Sequence, residues 1–119
     1  MNKTLSFSLI VPVYNRPYEV QELLESLSLQ SDKDFEVLII EDGSSVPCKA
    51  VCDKFDDKIN IDYHFKANSG PGPSRNFGME KATGNYFIIF DSDCLIPPNY
   101  IANVRKALGE DYVDCFGGP

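Results

Sequence analysis

Apolar positions fall along the chain in two rhythms. "FSLIVPV", Phe7 to Val13, is a β-branched apolar run of strand length. "PYEVQELLESLSLQ" then spaces Val20, Leu23, Leu24 and Leu27 at helical intervals, with Pro17 near the start and Glu19 and Glu22 early. "FEVLII" at 35–40 reads as a second strand, closed by the turn pair Asp42-Gly43. Residues 47–57 read as a weakly patterned helix, and Ile59, Ile61, Tyr63 and Phe65 then alternate as a third strand buried on one face. A Gly- and Pro-punctuated segment leads into a short helix near Ser74 to Ala82, with Gly84 as its stop. "YFIIF" at 86–90 predicts a fourth strand. "PPNYIANVRKALG" gives a helix with Tyr100, Ile101, Val104 and Leu108 inward, and "YVDCF" at 112–116 a fifth strand.

Strands alternating with helices predict an α/β fold, a largely parallel Rossmann-like sheet with flanking helices and right-handed crossovers. The continuous apolar runs at 35–40 and 86–90 predict strands covered on both faces. No repeat or linker divides the chain, so residues 1–119 read as a single domain, and 43% hydrophobic with 24% charged residues suits a soluble one. No apolar run nears the roughly 18 residues of a membrane span. The N-terminus, with one lysine and a short apolar stretch broken by Ser8 and Pro12, reads as structure and not as a leader.

A formal net charge of −7 argues against nonspecific binding to nucleic acid or anionic lipid, which needs a basic field, but not against a small anionic ligand held by local cations. Cys48, Cys52, Cys94 and Cys115, with His64 the single histidine, supply no zinc framework, so reduced thiols and a cytoplasmic location are expected.

Ligands of doubly wound sheets sit beyond the carboxyl ends of the strands. Tyr14 and Asn15, then Asp42, then Asp91 and Asp93 all follow predicted strands, so one crevice could collect them. Asp91 and Asp93 are one residue apart in a D-x-D pattern. If they keep strand geometry, both carboxylates face one side, with Cα atoms roughly 6.5 Å apart, while Ser92 faces the other. Such a pair needs a solvated turn, a neighbouring Arg or a metal ion to relieve its repulsion. Carboxylates suit Mg2+ or Mn2+, which complete their shells with water and phosphate.

"VPVYNRP", "IIEDGS", "NSGPGPSRNFGMEKATGNY" and "IIFDSD", in that order and spacing, resemble the family 2 glycosyltransferases of GT-A fold, from about Ser6 to Pro119. The resemblance implies transfer of a sugar from a nucleoside-diphosphate donor, usually with inversion, and a divalent metal (Mn2+ or Mg2+) on the diphosphate. It places Pro12, Val13, Tyr14 and Asn15 beside base and ribose, and Asp42 on a uracil-like base. Gly70 and Arg75 would lie near the nucleotide, with Arg75 offsetting Asp42 or Asp91. Asp91 would be a carboxylate on the ribose side or one step behind the metal, Ser92 would belong to the same nucleotide site, and Asp93 would be the principal metal ligand, with Asp91 assisting. Ser74 stands where many members have Ala. Local readings remain beside these: turn chemistry for Asp42, a core-edge aromatic for Tyr14, a strand end shaped by Pro12, and a loop-fixing ion pair for Arg75.

UDP is the family's commonest carrier, with thymidine and guanosine forms as alternatives. The inverting reaction needs a general base, and Glu110, Asp111 and Asp114, the acidic residues after 93, lack its context, so no catalytic residue is assigned. The chain is therefore expected to be the donor-binding half of a longer enzyme, inactive alone. Its acceptor, a saccharide or lipid-linked molecule, is read elsewhere. Self-association through an uncovered edge and membrane attachment through segments outside this chain are further expectations. Two other readings stand: a non-catalytic nucleotide-binding fragment, and a sugar-phosphate nucleotidyltransferase. The latter is disfavoured because no Gly-rich basic loop follows the first strand.

Overall fold

The computed structural model describes residues 6–110. The elements run β1 (Phe7–Val13), α1 (Pro17–Ser28), β2 (Phe35–Asp42), α2 (Lys49–Phe55), β3 (Asn60–Lys66), α3 (Pro71–Lys81), β4 (Tyr86–Ile89) and α4 (Tyr100–Glu110). The expected fifth strand at 112–116 lies outside the described residues. The four strands form one parallel sheet in the order β3-β2-β1-β4. The chain moves outward from β1 through β2 to β3, then crosses to β4 on the other side of β1, so strand order reverses between β1 and β4. That is the switch point at which doubly wound sheets open a crevice.

Period-two alternation sorts the sheet's side chains. Phe7, Leu9, Val11 and Val13 of β1, with Val37, Ile39 and Ile88, face α1, α2 and α4 in the larger core. Ile10, Leu38 and Ile40 face the other way, against Phe77, Met79 and Ala82 around α3. Helix α3 lies close to the sheet because Gly78 lacks a Cβ, which would stand 2.5 Å from Ile10 Cγ2. In α1, Val20, Leu23, Leu24 and Leu27 are all buried, as their spacing predicts.

Four local expectations need correction. β2 is covered on both faces, but Phe87 and Ile89 of β4 are each 38% exposed, because α3 packs over β1 and β2 and leaves that side of β4 open among the described residues. Phe65 is 54% exposed while Ile61 and Tyr63 pack inward. The Tyr63 hydroxyl shares the Glu41 carboxylate with Cys48 N, just before α2, whereas Phe65 lies at the end of β3 beyond that contact. α3 begins at Pro71, three residues before Ser74, since prolines in a first helical turn forgo N–H bonds that would be unmade anyway. The same helix ends at Lys81 with Ala82 extended, and Gly84 instead donates its N–H to Ser8 Oγ at 2.8 Å as the chain re-enters the sheet.

Candidate functional site

Four loops leave the carboxyl edge of the sheet: residues 14–16 after β1, 43–48 after β2, 67–70 after β3 and 90–99 after β4. Two buried carboxylates at the end of β2 tie three of them together. Glu41, 0% exposed, accepts hydrogen bonds from Cys48 N at 2.7 Å, the Tyr63 hydroxyl at 2.8 Å and Ser44 Oγ. Burial, and the Glu41 carboxylate beside it, push the Tyr63 phenol well above its ordinary range. Ser44 Oγ in turn accepts from Asn15 N at 2.8 Å, and Asn15 Oδ1 accepts from Val46 N at 3.0 Å. Asn15 makes this staple from a left-handed backbone, φ 53°, which Asn tolerates better than most residues.

Asp42 organises the other side. Its Oδ1 accepts from Lys66 Nζ at 2.6 Å and Ser69 N at 2.8 Å, and its Oδ2 from Gly70 N at 2.9 Å. Asn68 Nδ2 adds a bond to the Asp42 backbone carbonyl at 2.9 Å. Burial alone would raise the Asp42 carboxyl, but the Lys66 ammonium and the two backbone N–H groups together hold it below the ordinary carboxylate value. The expected partner, Arg75, is not the one found. Lys66 stands directly across the β2–β3 ladder from Asp42 and reaches it without a loop between them. Arg75 is half-buried and makes no ion pair among the described residues.

The start of α3 is less of an anion cradle than a free helix end. Ser69 N and Gly70 N are spent on Asp42, and Ser74 N bonds Gly70 O at 3.2 Å. Prolines at 71 and 73 have no N–H, leaving Gly72 N as the donor of the first turn. Gly70 itself holds φ 100°, a conformation that a side chain would strain.

Pro12 is half-buried within β1, and Val13, 1% exposed, turns its side chain into the core, so only its backbone faces the edge. Tyr14 stands out at 53% exposure. On β4's side, Phe90 N still bonds Ile10 O at 3.0 Å, after which the chain turns away. Asp91 and Asp93 therefore do not keep strand geometry. A turn closed by Cys94 N to Asp91 O at 3.2 Å carries both, exposed, with Ser92 half-buried between them. This corrects the expected same-face pair: the turn relieves the repulsion by letting both carboxylates reach solvent.

Among the described residues no group of three or more His, Cys, Asp or Glu is placed to hold a metal by itself. Two exposed carboxylates in one turn, making no ion pair or hydrogen bond through their side chains among the described residues, fit a hard cation shared with phosphate and water oxygens. They do not fit an all-protein cage. The far end of this loop is pinned by Gln30, which local patterning did not single out. Its amide donates to Pro97 O at 2.6 Å and accepts from Ile101 N at 3.1 Å, at 1% exposure. Glu41 and Lys66 were missed for a related reason. Each acts across the sheet, and the available signal was a charged residue at the end of an otherwise apolar strand.

Comparisons with known proteins agree with this fold. The model of glycosyl transferase family 2 matches residues 8–119. An uncharacterized glycosyltransferase of Rickettsia felis is 44% identical over 107 residues, which cover 87% of this chain and 17% of that protein. Poly(ribitol-phosphate) beta-N-acetylglucosaminyltransferase TarS of Staphylococcus aureus is 32% identical over 114 residues, 92% of this chain and 20% of TarS. The chain thus spans about a fifth or less of the length of these two relatives. The crystal structure of TarS 1-349 in complex with UDP-GlcNAc superposes with a TM-score of 0.86 at 29% identity, covering 97% of this chain and 37% of that one. The mannosyltransferase PcManGT of Pyrobaculum calidifontis, in complex with GDP-Man and Mn2+, shares the fold at a TM-score of 0.81 and 23% identity, covering 93% of this chain and 34% of that one. Among the described residues, no helix is long and apolar enough to cross a membrane.

Proposed function

The chain belongs to glycosyl transferase family 2, and from that premise we propose that it is the donor-binding part of an inverting enzyme that transfers a sugar from a UDP-sugar to an acceptor hydroxyl. The observation that carries this reading is the unfilled capacity of Asp42. A carboxylate has about four acceptor positions, and three are taken, two on Oδ1 and one on Oδ2. The remaining position on Oδ2 suits the ring N–H of uracil. Tyr14 supplies an exposed aromatic surface at the same edge, and Arg75, without an ion pair among the described residues, a cation for the diphosphate.

Asp93, with Asp91, would hold the divalent cation (Mn2+ or Mg2+) against the diphosphate. When bound, such a cation neutralises charge on the leaving diphosphate. The chain's own residues bind and orient: Asp42 fixes the base, Gly72 N and Arg75 face phosphate oxygens, and the Asp91–Cys94 turn holds two carboxylates clear of the core. The acceptor proton goes to a general base outside these 119 residues, so the chain alone binds donor without transferring sugar. The single domain of residues 1–119 would accordingly be one half of a catalytic unit whose other half reads the acceptor.

Calorimetric titration of UDP with and without Mn2+, on the wild type and Asp93→Ala, tests this. Mn2+ should tighten UDP binding to the wild type and leave the variant unaffected. Equal affinities in all four titrations overturn the metal assignment, and no UDP binding to the folded wild type overturns the donor site.

A further inference from the structure

The Lys66–Asp42 pair does more than close a loop. Lys66 Nζ meets Asp42 Oδ1 at 2.6 Å and the Ala67 carbonyl at 3.0 Å, and also donates to Ser69 Oγ. An ammonium has three protons to donate, and three acceptors occupy them. Its side chain is 13% exposed, beside an Asp42 side chain that is 7% exposed. So Lys66 has no donor left for a ligand, and its effect must pass through the carboxylate it holds.

What it holds is an orientation. Both lone-pair positions of Oδ1 are filled, by Lys66 and by Ser69 N, while Oδ2 keeps one beside Gly70 N. We infer that Lys66 is a positioning residue for base selection, fixing Asp42 as an acceptor whose open position admits only bases with a ring N–H. This rests on the donor-site reading above. Uracil and thymine carry that N–H at N3, and guanine at N1. Cytosine presents a bare ring nitrogen there, and a carboxylate facing a lone pair has nothing to accept. Without Lys66, the carboxylate is free to rotate or to take a proton, and in the protonated form it can donate to cytosine.

The test is calorimetric titration of UDP and CDP on the wild type, Lys66→Met and Lys66→Arg, with folding checked by circular dichroism. The wild type should prefer UDP by about tenfold or more, the usual cost of an unmade buried hydrogen bond. Lys66→Met should narrow that preference to about twofold, chiefly by weakening UDP, while Lys66→Arg, which keeps a cation on Asp42, should restore most of it. A merely structural role would weaken both nucleotides alike and leave their ratio unchanged. Should Lys66→Met fail to fold, Lys66→Ala, which likewise leaves Asp42 without a donor from position 66, reads the same ratio. A preference unchanged in a folded, uncharged variant overturns the role of Lys66 and leaves the donor site standing. A wild type that binds UDP and CDP equally overturns base selection at Asp42. A wild type that binds neither overturns the donor-site reading along with it.

Discussion

Replacing Asp42 by Ala removes one carboxylate and leaves three donors behind. The Lys66 ammonium loses its counter-charge at 13% exposure, and Ser69 N and Gly70 N lose their acceptor. Breaking a buried pair by removing one partner costs about 3–5 kcal/mol, because the surviving charge stays uncompensated. Here the loop at 67–70 can open and let Lys66 reach water, so the lower end, about 3 kcal/mol, is expected. That is a large part of the roughly 5–15 kcal/mol that stabilises an ordinary domain. Asp42→Asn keeps one acceptor oxygen and should cost about half as much. The double variant Asp42→Asn/Lys66→Met should be less destabilised than the sum of its singles by 1 kcal/mol or more, as contacting charges couple (of the order of 0.5–3 kcal/mol). Urea denaturation followed by circular dichroism measures the wild type, Asp42→Ala, Asp42→Asn, Lys66→Met and the double variant. The sign with pH follows from the lowered Asp42 carboxyl. Its stabilisation is full above the unfolded carboxyl value of about 4 and is lost as pH falls through the lower folded value, so the gap between wild type and Asp42→Asn should close in acid. An Asp42→Ala variant within about 0.5 kcal/mol of wild type at pH 7, the range of an ordinary surface substitution, would refute the buried-pair argument.

Gly78→Ala should destabilise by about 1–3 kcal/mol, because the new methyl meets Ile10 Cγ2 at 2.5 Å in a filled layer; the thermal midpoint reads this out. Gln30→Ala should cost about 1–3 kcal/mol and raise amide exchange at Ile101, whose N–H loses its acceptor, as followed by hydrogen–deuterium exchange. Arg75→Ala should leave urea stability within about 0.5 kcal/mol, since no ion pair among the described residues is lost, while weakening UDP by about tenfold in calorimetry.

Local periodicity carried the fold. The 3.6-residue spacing of Val20, Leu23, Leu24 and Leu27 and the strand-length apolar runs at 7–13 and 35–40 reappear as α1, β1 and β2, because burial acts on each element much as its own pattern demands. Where coverage depends on neighbours the pattern misled. Phe87 and Ile89 look like core, yet nothing in "YFIIF" says that α3 stops at β1 and β2. The candidate site divides in the same way. That Asp42, Gly70 and the D-x-D pair share one sheet edge follows from their places after strands. That Lys66 and not Arg75 holds Asp42 follows from β2–β3 register, which pairs residues 24 positions apart and leaves no trace in either segment alone. The turn at Asp91 to Cys94 was hidden because an alternating D-x-D looks the same in a strand and in a turn.

The central claim is that loops from four strands form one nucleotide pocket, and amide chemical-shift mapping during a UDP titration tests it most directly. Shifts should move together, with one affinity, at Tyr14, Asp42, Gly70, Gly72, Arg75 and Asp93, and leave the Arg105–Asp32 pair at the opposite edge unmoved. Shifts confined to one of these loops, or perturbation centred on the opposite edge, would contradict it.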